Sequence, residues 1–275
     1  MPQRNISRSR KKKSTFNWQK FLFIILLFVG LIIMVHHYRE AILYYFSFKT
    51  DKIIKKDKVA QARIYQILDK YSDKVAGIDV SHYQGKINWD AVDLIENKFP
   101  IKFVFIRASI GNDAIDQRFE ENWEGAKAHD FVCGAYHYYR PNENSITQAK
   151  LFIKTVKLLE GDLPPVLDIE KLPKEQSIDS LKIGLKRWLD LVDAHYKVKP
   201  IIYTSERYYT DFLKKEFSGY TFWVANYNFF AENIKDDWLF WQFTEKGQID
   251  GIDEKVDINI YNGSEKMLEY LRISN

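Results

Sequence analysis

The sequence predicts an α/β fold, a barrel-like single domain of about eight strands preceded by an N-terminal transmembrane helix. Three observations carry this. From residue 75 onward, short apolar runs recur at 75–80, 103–108, 131–138, 166–169, 201–204, 222–225, 239–243 and 256–260. Helix-like stretches at 116–129, 146–160 and 178–196 separate several of the first five, which is the alternation of a mainly parallel sheet. The last three runs leave little room for helices, so the sheet is expected to finish with antiparallel strands. The third observation lies at the other end, where residues 21–35 carry no charge at all.

The first twenty residues hold Arg4, Arg8, Arg10, Lys11, Lys12, Lys13 and Lys20 and no acid. They account for the net charge of +4. Without them the chain is slightly acidic, which argues against nucleic acid as a partner of the main domain. Such a tail stays cytoplasmic by the positive-inside tendency. Residues 1–20 are therefore expected as a basic cytoplasmic tail and 21–38 as the membrane anchor. The apolar run is short for a span and close to a signal-peptide core, but the His36-His37-Tyr38-Arg39-Glu40 that follows offers no small-residue cleavage pattern. Flanking Trp18 and Tyr38 also suit the two membrane interfaces, and the apolar stretch 41–48 extends the contact.

Residues 39–74 are expected as a helical juxtamembrane stalk, since Ile53, Ile54, Val59, Ile64, Ile67 and Leu68 recur at loosely helical spacing among Lys and Asp. A lipid-associated amphipathic segment is the other reading. Residues 75–275 form the exported domain. Its single cysteine, Cys133, permits no internal disulfide, and the sequence around it suggests a buried thiol.

Chemistry gathers at the strand ends. Asp79 closes the first run, Tyr136 and Tyr138 the third, Asp168 and Glu170 the fourth, and Asp257 sits in the last. In an α/β barrel the C-terminal strand ends converge on one rim. Asp168 and Glu170, two apart at the end of an apolar run, fall on one face of a strand, about 7 Å apart. A core strand has little use for two such acids, whereas glycosidic cleavage needs one carboxyl protonated and one ionised. A solvated acidic loop is the plainer alternative for a lone pair of this kind. Trp223 and Trp241 lie near strand ends, where indole faces suit the apolar faces of sugars.

These residues also spell a family. Gly77-Ile-Asp-Val-Ser-His-Tyr-Gln-Gly-Lys-Ile-Asn-Trp-Asp90 resembles the opening motif of family 25 glycoside hydrolases, the lysozymes. Phe103-Val-Phe-Ile-Arg-Ala-Ser-Ile-Gly111, Gly134-Ala-Tyr-His-Tyr-Tyr139, Leu167-Asp-Ile-Glu170 and Pro200-Ile-Ile-Tyr-Thr-Ser205 are similar to later motifs, in the family's order. Trp223-Val-Ala-Asn-Tyr227, Trp241-Gln-Phe-Thr244 and Val256-Asp-Ile-Asn259 complete the series.

The resemblance implies an irregular α/β barrel with fewer helices than a full (β/α)8 barrel. It implies a muramidase that cuts peptidoglycan glycan strands, with no cofactor or metal, as a monomeric domain. Glu170 is then the general acid, and Asp168, Asp79 and Asp257 the other active-site carboxylates. Tyr136, Tyr138, Tyr203, Trp223, Gln242 and Arg107 are expected to contact substrate. An ionised Asp168 is expected to keep Glu170 protonated. Where the family often turns on glycine before the third strand, this chain has Asp130, which tolerates such a turn. Three competitors remain: a metal-dependent sugar deacetylase using Asp79, His82, His137 and Asp257, a non-catalytic glycan-binding wall protein, and a glycosidase for another N-acetylated polymer.

Overall fold

The computed structural model describes residues 18–47 and 58–274. Most of the expected basic tail and the middle of the expected stalk lie outside them. In chain order the helices and strands begin with α1 (Trp18–His37), α2 (Arg39–Ser47), α3 (Lys58–Lys70), β1 (Val75–Val80), β2 (Leu94–Ile95), β3 (Phe99–Ile110) and β4 (Ala114–Ile115). There follow α4 (Phe119–Ala128), β5 (Val132–Tyr138), α5 (Ser145–Thr155), β6 (Val166–Asp168), α6 (Ile178–Tyr196) and β7 (Ile201–Ser205). The chain ends with α7 (Glu206–Tyr208), β8 (Thr221–Ala225), β9 (Phe240–Gly247), β10 (Val256–Tyr261) and α8 (Glu265–Leu271).

Eight strands close into a barrel in the order β1-β3-β5-β6-β7-β8-β9-β10, with β10 returning to β1. All neighbours from β1 round to β9 run parallel. Only β10 is antiparallel, to both β9 and β1. The expected antiparallel finish is thus confined to one strand, because the chain between Ala225 and Phe240 crosses back over the rim without a helix and still delivers β9 parallel to β8. The short β2 and β4 hang on β3 as antiparallel appendages.

Alternation along the strands sends one set of side chains inward and the other against the helices. The interior is packed with rings: Phe105 stacks on Trp223 with centroids 4.5 Å apart, and Phe240 meets Phe103 and Phe105 edge-on at 5.2 Å. Bulk here demands absence elsewhere. A Cβ at Gly77 would stand 2.5 Å from the Phe103 ring and one at Gly134 2.4 Å from Phe105, so glycine makes room for those rings.

Outside the barrel, α6 shows how a helix is written. Ser177 caps it by accepting from the Ser180 amide, and Leu181, Leu185, Trp188, Leu189 and Val192 form the buried stripe at helical spacing. Lys197 ends it in the left-handed region, at φ 60°. Asp130 does turn the chain before β5, also at φ 60°, and Cys133 is buried behind it.

The N-terminal segment departs from expectation at α3 but not at α1. α1 is long and apolar enough to cross a membrane by length and composition, and none of it is buried in the protein. α3 does not stand clear as a stalk. It packs on the barrel through Ile64, Ile67 and Leu68, and Arg63 goes with them. The Arg63 guanidinium donates to four carbonyls, those of Asn228, Phe229, Ala231 and Phe243, at 2.8–3.1 Å. The packed domain therefore begins near residue 58 rather than 75.

Candidate active site

The C-terminal strand ends surround a pocket of about 480 Å³. Asp79 on β1 lies directly opposite Asp257 on β10 in the strand register. Because β10 is antiparallel, Asp257 reaches this rim from the start of its strand.

Asp79 is buried, 6% exposed, and its Oδ2 accepts from Asn259 Nδ2 and Gln242 Nε2, both at 2.7 Å. The orientation of each amide is fixed from behind. Trp223 Nε1, which can only donate, points at Asn259 Oδ1 at 2.8 Å. Tyr203 and Tyr227 both donate to Gln242 Oε1, Tyr203 at 2.7 Å. With their oxygens occupied, both amides present N–H groups to Asp79. Burial pushes Asp79 up to about 6, against the lowering effect of the two amide bonds. Asp257 is raised to about 9, by burial first and then by the neighbouring Asp79, Glu245 and Glu170.

The expected acid pair is assembled. β6 ends at Asp168, but Ile169 continues extended, its amide donating to the Tyr203 carbonyl at 3.0 Å. Glu170 therefore stays on the side of Asp168, close enough for each carboxyl to shift the other's affinity for its proton. Asp168 is deep, 4% exposed, while Glu170 sits at the mouth. The surroundings of the two acids differ. Burial and the adjacent Glu170 hold Asp168 well above the usual carboxylate range. Burial also raises Glu170, but the adjacent Asp168 works the other way. Burial thus favours the proton on the deeper acid, since the mouth keeps water for a charged one. Asp168 Oδ1 is buried without a hydrogen-bond partner.

Tyr136, Tyr138, Tyr203, Trp223, Gln242 and Arg107 all line the pocket. Their duties differ. Trp223 and Gln242 also hold the Asp79 clamp, and Lys171 approaches the ring of Tyr138, its Nζ 5.4 Å from the centroid. Arg107 is neutralised from behind by Asp116, 2.8 Å from Nε, which also accepts from the His82 amide. Trp241 is not part of the groove: it points outward, buried against Tyr71 and the α3 side, with Nε1 on the Asn226 carbonyl. Sequence reasoning passed over Tyr227 and Asn259. Each ends one of the quoted motifs, which was the available signal.

The deacetylase ligand set does not form. His137 alternates outward between Tyr136 and Tyr138, stacks on Trp188 at 5.5 Å and is held by Ser109 and Gln148. His82 turns to Asp116 at 2.9 Å. Among the described residues no three His, Cys, Asp or Glu side chains are grouped to hold a metal.

A parallel-stranded barrel whose rim gathers four carboxyls, two of them side by side at one strand end and one clamped by amides, amid aromatic walls, is built as a glycoside hydrolase. The known relatives agree. A sequence profile described as Glycosyl hydrolases family 25 matches residues 78–252. Lysozyme M1 of Streptomyces globisporus is 34% identical over 206 residues, which are 69% of this chain and 68% of that one. The uncharacterized protein YegX of Escherichia coli (strain K12) is 37% identical over 199 residues, 71% and 72% of the two chains. A family 25 glycosyl hydrolase from Bacillus anthracis superposes with TM-score 0.66 at 27% identity, covering 74% of this chain and 95% of its own. A bacterial lysozyme from Streptomyces coelicolor gives 0.65 at 30% identity, covering 72% and 97%. The chain belongs to glycosyl hydrolase family 25.

Proposed function

We propose that this chain is a peptidoglycan muramidase, hydrolysing the β-1,4 bond between N-acetylmuramic acid and N-acetylglucosamine with help from the substrate's own acetamido group. The observation that carries it is the unpartnered, buried Asp168 Oδ1 beside Glu170. A buried oxygen left open in this way suits the acetamido N–H. When that N–H arrives, it favours ionised Asp168, and the proton passes to the neighbouring Glu170. Glu170 then protonates the leaving oxygen as the acetamido oxygen attacks the anomeric carbon, and Asp168 offsets the positive charge on the amide. Glu170, now ionised, takes a proton from the water that opens the cyclic intermediate. Ionised Asp79, lodged between its two amides, adds negative potential under the sugar ring, while Tyr136, Tyr138, Arg107 and the Trp223 face frame it.

Helix α1 supports a retained anchor, and the basic tail supports a cytoplasmic N-terminus with the barrel exported. A tethered muramidase cuts only wall within its reach, which fits local remodelling. Mature protein free in the medium and lacking residues 1–40 would overturn the tether.

The test is digestion of purified peptidoglycan by the full chain in detergent, with Glu170→Gln in parallel. The wild type is expected to release new muramic acid reducing ends, and the variant to fall by about 10²–10⁴-fold at unchanged thermal stability. Products from neither protein would point to the glycan-binding alternative.

A further inference from the structure

Two adjacent phenylalanines on one turn are exposed, Phe229 only in part because Arg63 Cζ lies 6.0 Å from its ring centroid. Phe230 is 79% and Phe229 46% exposed, with their rings edge to face at 5.5 Å. Scattered apolar residues on a surface are ordinary, but this adjacent pair is held out deliberately. Asn228 caps the turn by accepting from the Phe230 amide at 3.0 Å, and the Ala231 amide donates to the Asn228 carbonyl at 2.9 Å. Arg63 on α3 draws the carbonyls of Asn228, Phe229 and Ala231 inward. The turn is thus rigid, its backbone largely satisfied from within, and its rings face out.

Its location supplies the partner. Two residues after Phe230, Glu232 binds the end of the apolar helix α1: His37 Nε2 lies 2.7 Å from Oε2, and the Tyr38 hydroxyl donates to Oε1 at 2.8 Å. Lys70, which ends α3, and Tyr71 after it hold the same stretch through the Glu232 carbonyl. A span of twenty residues is about 30 Å long, one hydrocarbon thickness, so its last residues mark the water-facing boundary of the bilayer. A turn bonded to that point lies at the interface.

We propose that the Phe229–Phe230 turn is a second membrane contact, seating the barrel on the exported face of the bilayer that α1 crosses. The inference rests on α1 being a retained anchor, not on the muramidase chemistry. Lipid is the occupant because the chemistry fits it. Aromatic side chains suit the headgroup boundary, and backbone entering that region must satisfy its polar groups internally, as Arg63 arranges. One span with one further apolar contact also converts a loose tether into a fixed orientation. Tyr227, which lines the pocket, lies two residues before Phe229. The mouth is thereby held beside the membrane, within reach of the innermost glycan strands.

The experiment places a nitroxide at Phe230→Cys, Leu27→Cys or Tyr270→Cys in the full chain, in nanodiscs of phosphatidylethanolamine and phosphatidylglycerol. Native Cys133 is buried, which pushes its thiol up to about 12, so it stays unlabelled. Accessibility to dissolved oxygen, which concentrates in lipid, is compared with that to an aqueous nickel chelate. Position 27 reports the anchor, and position 270, on exposed α8, is the aqueous reference. At position 230 the oxygen-to-chelate ratio is expected to exceed that at 270 by at least about threefold, at an interfacial depth of roughly 5–10 Å. A ratio at 230 equal to that at 270, with 27 in the bilayer, overturns the seating alone. If 27 is itself aqueous, the anchor and the seating fall together, and the hydrolysis assay stays an independent measure of the chemistry.

Discussion

The pocket and the α3 contact both bury charge, and they treat it in opposite ways. At α3, Arg63 is surrounded by carbonyl oxygens that complement a cation, and burial lowers its affinity for the proton without threatening its charge. In the pocket, Asp79, Asp168, Glu170 and Asp257 face one another, and every one of them is raised. Arg107 with Asp116 lies between the extremes, one ion pair that anchors the pocket wall. What distinguishes the two regions is the partners: complementary groups hold a buried charge in place, whereas like charges raise one another's affinity for protons.

Three changes would break or sharpen this contrast. The largest is Arg63→Met, which strands carbonyls on a turn and on β9. It is expected to cost about 3 kcal/mol of stability by chemical denaturation while leaving the pH profile of hydrolysis where it was. A moved profile would show that Arg63 belongs to the reactive group after all.

Next comes pH. An acid whose folded pKa is raised binds its proton more tightly folded than unfolded. Its stabilising contribution is whole below the unfolded value and is lost as pH rises through the folded one. For Asp79 that window runs from 3.8 to about 6, worth on the order of 2–3 kcal/mol. Asp257 extends the decline to about 9. Thermal unfolding is therefore expected to fall steadily from mildly acid to alkaline pH. Asp257→Asn should flatten the alkaline part and raise Tm there by a few degrees; an unchanged slope would mean the acids do not strain the fold.

The smallest effect is the subtlest. Asn259→Leu removes one amide from Asp79, so the acid limb of kcat/KM is expected to move up by about one pH unit. An unmoved limb would assign that ionisation to another carboxyl.

Much of this was legible in the sequence because the signals are local. Eight apolar runs gave eight barrel strands, and the acids at their ends met because parallel strands share a rim. The relative depth of the pair was not legible, since alternation tells which way Asp168 and Glu170 point but not which lies deeper. α3 was taken for a stalk although Ile64, Ile67 and Leu68 showed an apolar stripe. The surface that receives them, on β9, lies some 180 residues away in the chain. Trp241 and Trp223 shared the same motif logic, and only strand phase separated the outward ring from the inward one.

The lone antiparallel strand has an evolutionary consequence. Elsewhere around the barrel, variation in a loop that follows a strand reshapes the groove, and variation in a loop that precedes one does not. At β10 the rule inverts: the hairpin between Gly247 and Val256 lies on the substrate side. It is pinned there by Gln84 on the Lys255 carbonyl and the Asn88 amide on Gly251. Insertions in that hairpin are therefore where related enzymes have room to diversify the sugars they accept while the framework of the barrel stays untouched.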